Sequence, residues 1–325
     1  MRRLRDRAWT FTAARHLVHL FYWRSLKWHR PSSDPLISGD SFRSLAHEVI
    51  DAYRGDELFE KRLGELSPLK YLADYDKYVL FIDLYIGQSG MQQSSFLDFC
   101  LRFKASFENR AVFIFHNHDV LPGALFFKSI CDLGIKVFSV NVLDSDSGPM
   151  PIPIGLENRY FRKNGRLRPY LIMSKDEVKN ESESKKRTNS VLALFSVDTN
   201  MVQRSDARDA CLRHGIVCHE KRISPKHYRR LVKNSLFVLS PPGNGIDCHR
   251  TWEAIYLGAV PVVKKGYLAQ SLTSALPILV VDDWQDICSL SRHELVSLYQ
   301  DLRKTPQDMA GLAIWRSRII QSRWS

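Results

Sequence analysis

Residues 239–265 read LSPPGNGIDCHRTWEAIYLGAVPVVKK, and the rest of the chain is organised around that stretch. Its pattern is strand, glycine-rich loop, helix, strand. The apolar run Leu236 to Leu239 leads into Ser240, and Pro241 and Pro242 stiffen the exit from the strand. Gly243 and Gly245 can take positive φ and let backbone N–H groups come close to a ligand. Asp247 is placed to cap a helix over Cys248–Leu257, Gly258 closes that helix, and the strand Val260–Val263 follows. A helix start reached through glycines binds anions by its free amides and its dipole. His249 and Arg250 in the first turn add positive charge, so the loop suits a diphosphate. Glu253 lies four residues after His249 and three after Arg250, on the same side of the helix. A carboxylate there can accept hydrogen bonds from the two hydroxyls of a ribose. Lys264 and Lys265 follow the last strand at the carboxyl edge of the sheet, where open α/β folds bind ligands. The bland alternative is an ordinary turn with an Arg250–Glu253 surface pair, which is worth little.

The same rhythm extends outward in both directions. Upstream lie a strand Val191–Val197, a helix Ser205–His214, a short strand Ile216–His219 and a helix Ser224–Asn234; downstream lies a strand Pro277–Val281. In the first half the apolar runs Tyr78–Tyr85, Ala111–Phe115 and Lys136–Val142 alternate with helical stretches Gln93–Phe107 and Pro122–Leu133. Runs that are apolar throughout, alternating with helices, indicate parallel sheets covered on both faces. Ser41–Tyr53 is read as a helix with Phe42, Leu45, Val49 and Ile50 on one face. The fold class is therefore α/β in two tandem units. The expected divisions are a basic aromatic segment 1–30, a first domain 31–180, a second domain 190–290 and C-terminal helices 291–325, with Trp315 and Trp324 folding back on the body.

Composition narrows the function. Of 325 residues, 44% are hydrophobic and 25% charged, which excludes collagenous, coiled-coil and wholly disordered chains. The net charge of +12 favours an anionic partner. Nucleic acid is not expected, because no helix-turn-helix, RNP or zinc-finger pattern is present. The six cysteines, Cys100, Cys131, Cys211, Cys218, Cys248 and Cys288, form no C-x-x-C pair and read as reduced thiols in a cytoplasmic protein. Segment 1–30 lacks the features of a signal peptide or a membrane span. Its Leu17, Leu20 and Phe21 recur at helical spacing among arginines and tryptophans, which suits either peripheral contact with an anionic membrane or packing on the protein's own body.

The stretch SPPGNGIDCHRTWEAIYLGAVPVV resembles the donor-binding element of GT-B glycosyltransferases, most closely the exostosin-like family and its bacterial relatives. The resemblance extends more loosely from about Val191 to Trp284, through FSVDTN, Arg204, SPKHYRR and LPILVVDDW. In the first half only PIPIGLEN, Pro151 to Asn158, is shared. The resemblance implies two Rossmann-like domains whose parallel sheets face a central cleft. It implies a nucleotide-diphosphate sugar held on the second domain by Ser240, Gly243, Asn244, Gly245, His249, Arg250, Glu253 and Lys264, and no essential metal or other cofactor. The acceptor is then a glycan or a lipid-linked acceptor, in surface polysaccharide or glycolipid biosynthesis.

Sugar transfer passes through an oxocarbenium-like state, so the departing diphosphate must be neutralised and the acceptor hydroxyl deprotonated. Inversion needs one base. Asp83, His116, His118, Asp119 and Glu157 all follow first-domain strands, and Asp119 and His118 are favoured because they come directly after the run AVFIF. Asp119 also suits the role of a helix cap. Arg204 is a contact for phosphate or acceptor. An alternative is a metal-dependent GT-A transferase using Asp144 and Asp146 as a D-x-D pair; others are a basic nucleic-acid-binding protein, which the charge alone suggests, and a nucleotide-sugar binder without catalysis.

Overall fold

The structure is a computed structural model that describes residues 34–51, 55–83, 90–119, 123–159, 165–171, 186–220 and 223–321. The expectations for segment 1–30 and for Trp324 lie outside these residues. Among the described residues, ten strands form two five-stranded sheets. The first runs in the order β1 (Glu48–Asp51), β2 (Tyr78–Asp83), β3 (Ala111–His116), β4 (Lys136–Ser139), β5 (Met150–Pro151), each pair parallel.

Every residue of β2 and β3 is buried, because both faces of the sheet are covered. Leu80, Ile82, Phe113 and Phe115 point to one side, against Phe59, Phe96, Phe99 and Phe126 of the crossover helices. Val79, Phe81, Val112 and Ile114 point to the other, against Leu36, Ile37 and Phe42. Burial of each such side chain contributes about 1.5–3 kcal/mol. Trp315, from the helix Leu312–Arg316, joins this second face, edge-on to Phe42 at 6.3 Å. The Leu312 N–H donates to the Pro35 carbonyl at 2.9 Å, so the end of the described chain is seated on the first sheet.

One element departs from the sequence reading. Ser41–Tyr53 is not a single helix: a short helix, Gly39–Arg43, is followed by β1, which pairs with Leu80–Asp83 of β2. Phe42, Leu45, Val49 and Ile50 fit a helical face, but the adjacent β-branched Val49 and Ile50 suit a strand that gains a parallel partner.

The second sheet has the order β10 (Leu279–Val281), β9 (Val260–Lys264), β8 (Ser235–Leu239), β6 (Asn189–Leu194), β7 (Cys218–His219), again parallel throughout. The chain leaves β6 toward β7 on one side and returns through β8 on the other. Strand order therefore reverses between β6 and β8, and a crevice opens there at the carboxyl ends of the strands, where doubly wound folds bind ligands. The loop after β8 meets segments that follow β3, β4 and β5 of the first sheet, so a cleft runs between the two sheets. Among the described residues no helix is long and apolar enough to cross a membrane.

Candidate active site

The helix His249–Tyr256 starts in the crevice between β6 and β8, and no side chain caps it. Asp247, expected as that cap, is employed otherwise. Its carboxylate accepts the Ile154 N–H at 2.8 Å and the Trp252 indole N–H at 2.9 Å, and its own N–H donates to Asn141 Oδ1 at 3.0 Å. It ties the glycine loop to the first domain, and burial pushes its carboxyl up to about 6 against the pull of these donors.

Gly243 and Gly245 are not among the glycines at positive φ. Space is what requires them. A Cβ at Gly243 would lie 2.9 Å from Arg204 Nη2, and one at Gly245 would lie 2.6 Å from Asn141 Nδ2. The loop also closes on itself, the Gly243 N–H donating to the Gly245 carbonyl at 2.9 Å, so this amide is already engaged and is not presented to a ligand.

Cationic side chains are gathered here instead. Arg204, 6% exposed, reaches from the helix Met201–Arg213 and donates through Nε to the Pro242 carbonyl at 2.9 Å and through Nη1 to the Ser196 carbonyl at 2.7 Å. Asn200 adds a bond from Nδ2 to the Gly243 carbonyl at 2.8 Å. Arg204 thus braces the loop against the end of β6. Burial, and then the nearby Arg250 charge, lower its pKa from the usual guanidinium value. Arg250 lies over the Phe195 ring, 5.7 Å from its centroid, and its Nη1 is buried with no hydrogen-bond partner among the described residues. Two neighbouring guanidiniums, one with a buried donor that no acceptor meets among the described residues, form a site suited to an anion; such a donor costs about 1–3 kcal/mol until it is met.

These groups line a cleft of about 390 Å³ together with Ser196, Glu220, Tyr228 and Glu253. Glu253 Oε1 accepts from the Tyr170 hydroxyl at 3.1 Å, and Arg229 lies 5.9 Å from the Tyr170 ring centroid. The Tyr228 hydroxyl is buried beside the same carboxylate, and burial and then the Glu253 charge push its phenol up. His249 is committed to the first domain: Nδ1–H donates to the Gly155 carbonyl at 2.7 Å and Nε2 lies 3.5 Å from Glu157 Oε1. Burial lowers the basicity of His249, but Glu157, the Gly155 carbonyl, Glu253 and Asp247 together outweigh it and raise its pKa.

The base candidates separate clearly. Asp119 is exposed at the cleft wall, and its Oδ2 accepts from Asn244 Nδ2 at 3.3 Å across the cleft. His118 is only 3% exposed, its Nε2 bonds Ser139 Oγ at 3.2 Å, and it does not line the cleft; its carbonyl holds Asn141 Nδ2 at 2.7 Å. Just beyond β3 the chain turns through Asn117 at φ 62°, which leaves His118 buried and Asp119 exposed. His116 is fully buried, held between Asn117 and the Pro153 carbonyl, and burial lowers its pKa to about 4. Asp83 is buried beside Arg43 at 3.8 Å. Ser240 bonds Thr251 at 2.9 Å and, with Lys264, lines a second cavity on the other flank of the loop. Lys264 Nζ donates to the Asp282 carbonyl and lies 5.4 Å from the Trp284 ring centroid, which turns it away from the Arg250 cleft. Asp144 and Asp146 sit in one exposed turn, the Asp146 N–H donating to Asp144 Oδ1 at 3.0 Å, and line neither cavity. Among the described residues no group of three or more His, Cys, Asp or Glu side chains is placed to hold a metal ion.

Residues 199–304 match the family model described as the RXYLT1 C-terminal domain. The second half carries an exostosin-related glycosyltransferase domain. No curated protein matches the chain. Among solved structures, similarity is found to the N-terminal domain of Candida albicans trehalose-6-phosphate phosphatase, at 11% identity over 82% of this chain and 74% of that one, TM-score 0.43. It is also found to an E. coli trehalose-6-phosphate protein bound with UDP-2-fluoro glucose, at 14% identity over 88% and 78%, TM-score 0.44. A third is the trehalose 6-phosphate synthase of Burkholderia multivorans, at 10% identity over 82% and 74%, TM-score 0.44. The matched part of the glycosyltransferase domain contains Arg204, the glycine loop, Arg250 and Glu253, and leaves out Phe195 and Tyr170.

Tyr170, Asn141, Asn200 and Tyr228 carried no signal of their own in the sequence. Asn200 and Tyr228 lie within FSVDTN and SPKHYRR, where the resemblance is loose. Asn141 stands at φ 60°, a conformation that asparagine tolerates better than most residues, directly after β4.

Proposed function

We propose that this glycosyltransferase moves a sugar from a nucleotide-diphosphate donor to a hydroxyl of a glycan or lipid-linked acceptor, with inversion and with protein cations in place of an essential metal. The observation that carries the reading is Arg250 Nη1, buried beside Arg204 at the helix start with no partner among the described residues. The donor diphosphate supplies an anionic acceptor for it. Glu253, held by Tyr170, accepts from the ribose hydroxyls, and the nucleobase of the donor lies toward Phe195, Ser196 and Tyr228.

Charge develops on the diphosphate as the bond from the anomeric carbon to its oxygen breaks, and cations already in place stabilise that charge without reorganising. The acceptor oxygen attacks the anomeric carbon from the opposite face. Its proton passes to Asp119, and the bonding electron pair leaves with the diphosphate. Asn244 engages one Asp119 oxygen and leaves the other for the acceptor hydroxyl. The domain-bridging bonds of Asp247 and His249 hold donor loop and acceptor wall in register. The likeness of the family and the absence of a D-x-D pair from the cleft favour this reading over a GT-A site.

The test is a thermal-shift panel of UDP, GDP, CDP and ADP with and without EDTA. One nucleotide at about 100 times its dissociation constant should stabilise the protein by about 2.7 kcal/mol. The shift should survive EDTA and shrink in Glu253→Gln. A shift that requires a divalent metal would remove the metal-independent mechanism, and no shift with any nucleotide would remove the donor site.

A further inference from the structure

A second cavity, of about 440 Å³, lies on the opposite flank of the glycine loop from Arg250. It is the larger of the two and its chemistry is different. Val142 and Leu143 line it from the first domain; Ile246, Trp252, Leu268 and Leu272 line it from the second. No arginine among the described residues lines it. Leu143 and Ile246 are 63% and 41% exposed, which leaves apolar surface facing solvent. Lys265 is exposed beside it, while Lys264 is tied to the Asp282 carbonyl. Gly243, Asn244 and Gly245 line both cavities, and Asn244 bonds Asp119. A ligand in the second cavity therefore ends within one loop of the proposed base, and the donor has its own cleft on the far side.

We propose that this cavity binds the apolar portion of the acceptor, an amphiphile with an anionic headgroup that meets Lys265 and presents its hydroxyl over Asn244 to Asp119. The proposal rests on the donor reading above for the direction of transfer, but the binding itself does not. Concave, mostly apolar sites with a few convergent polar groups are the usual form of small-ligand pockets. A nucleotide, which needs its diphosphate neutralised, finds no guanidinium here. A free sugar would leave the apolar walls unmatched.

The test uses the full chain and n-octyl phosphate below its micelle concentration, with inorganic phosphate and n-octyl glucoside as comparisons, followed by titration calorimetry. Octyl phosphate should bind saturably and at least tenfold tighter than either. Lys265→Glu and Leu143→Asp, both at exposed positions, should each weaken it fivefold or more, whereas Arg250→Ala should bind it like the wild type. A saturating nucleoside diphosphate should not displace it. Equal binding of inorganic phosphate, displacement by the nucleotide, or unchanged affinity in both cavity variants would overturn the proposal. If octyl phosphate binds as stated and no nucleotide does, the donor reading fails while the apolar site stands.

Discussion

Gly245→Ala tests whether the donor loop is shaped by the first domain. The new Cβ would sit 2.6 Å from Asn141 Nδ2, 2.7 Å from Oδ1 and 2.9 Å from Cγ, so the whole amide must move rather than its tip. That amide is pinned at both ends, Nδ2 to the His118 carbonyl at 2.7 Å and Oδ1 to the Asp247 N–H at 3.0 Å. Displacing it breaks two bonds, each worth about 0.5–1.5 kcal/mol net, so the substitution should cost about 1–3 kcal/mol. A double-mutant cycle with Asn141→Gly isolates the cause, since glycine suits φ 60° and removes the three atoms nearest the methyl. In that background Gly245→Ala should be nearly neutral. The assay is urea unfolding of the four proteins, read as midpoint and slope. A full penalty persisting in Asn141→Gly, or no penalty in the wild type, would refute the reasoning.

Other substitutions probe the remaining links. Asp119→Asn should lower turnover by about 10²–10⁴, the usual contribution of a general base, with nucleotide binding unchanged; turnover within a few-fold of wild type in a steady-state assay would move the base elsewhere. Burial raises Asp247 from its ordinary 3.8 to about 6, so the folded protein keeps a proton that the unfolded chain releases between those values. Its contribution to stability therefore falls as pH rises from about 4 to about 6 and is flat above, by about 3 kcal/mol in all. Asp247→Asn should take that slope out of the difference between urea midpoints measured across the window; an unchanged slope would show that the carboxyl titrates normally. Trp315→Ala empties a 2%-exposed site against Phe42 and should cost about 3–5 kcal/mol by chemical unfolding, whereas a loss below about 1 kcal/mol would mean that the C-terminal helix is not part of the core.

Much of this was legible because the second half follows local rules. A buried parallel strand reads as an apolar run, and Ser224 at the start of SPKHYRR caps the helix Pro225–Lys233 as serine before proline suggests. Glu253 and Arg250 sit where helical spacing puts them. What the sequence did not show were features decided by tertiary pairing. Val49 and Ile50 joined a strand because β2 was there to receive them. Asp247, His249 and Lys264 each found a partner remote in sequence, Ile154, Gly155 and Asp282, that no spacing rule reveals. Gly243 and Gly245 were expected for a dihedral reason, and they are needed because Arg204 and Asn141 fill the space beside them. His118 and Asp119 are adjacent in sequence and point opposite ways, a distinction that depends on where β3 stops.

The central claim is that the Arg250 cleft holds the donor diphosphate, and the most direct measurement compares affinity for a nucleoside diphosphate with affinity for its nucleoside, in the wild type and in Arg250→Ala. A charge-assisted contact is worth about 1.5–3 kcal/mol, so the variant should bind the diphosphate roughly 10- to 150-fold more weakly while binding the nucleoside unchanged. Diphosphate affinity equal to wild type in Arg250→Ala, or an equal loss for nucleoside and diphosphate, would contradict it.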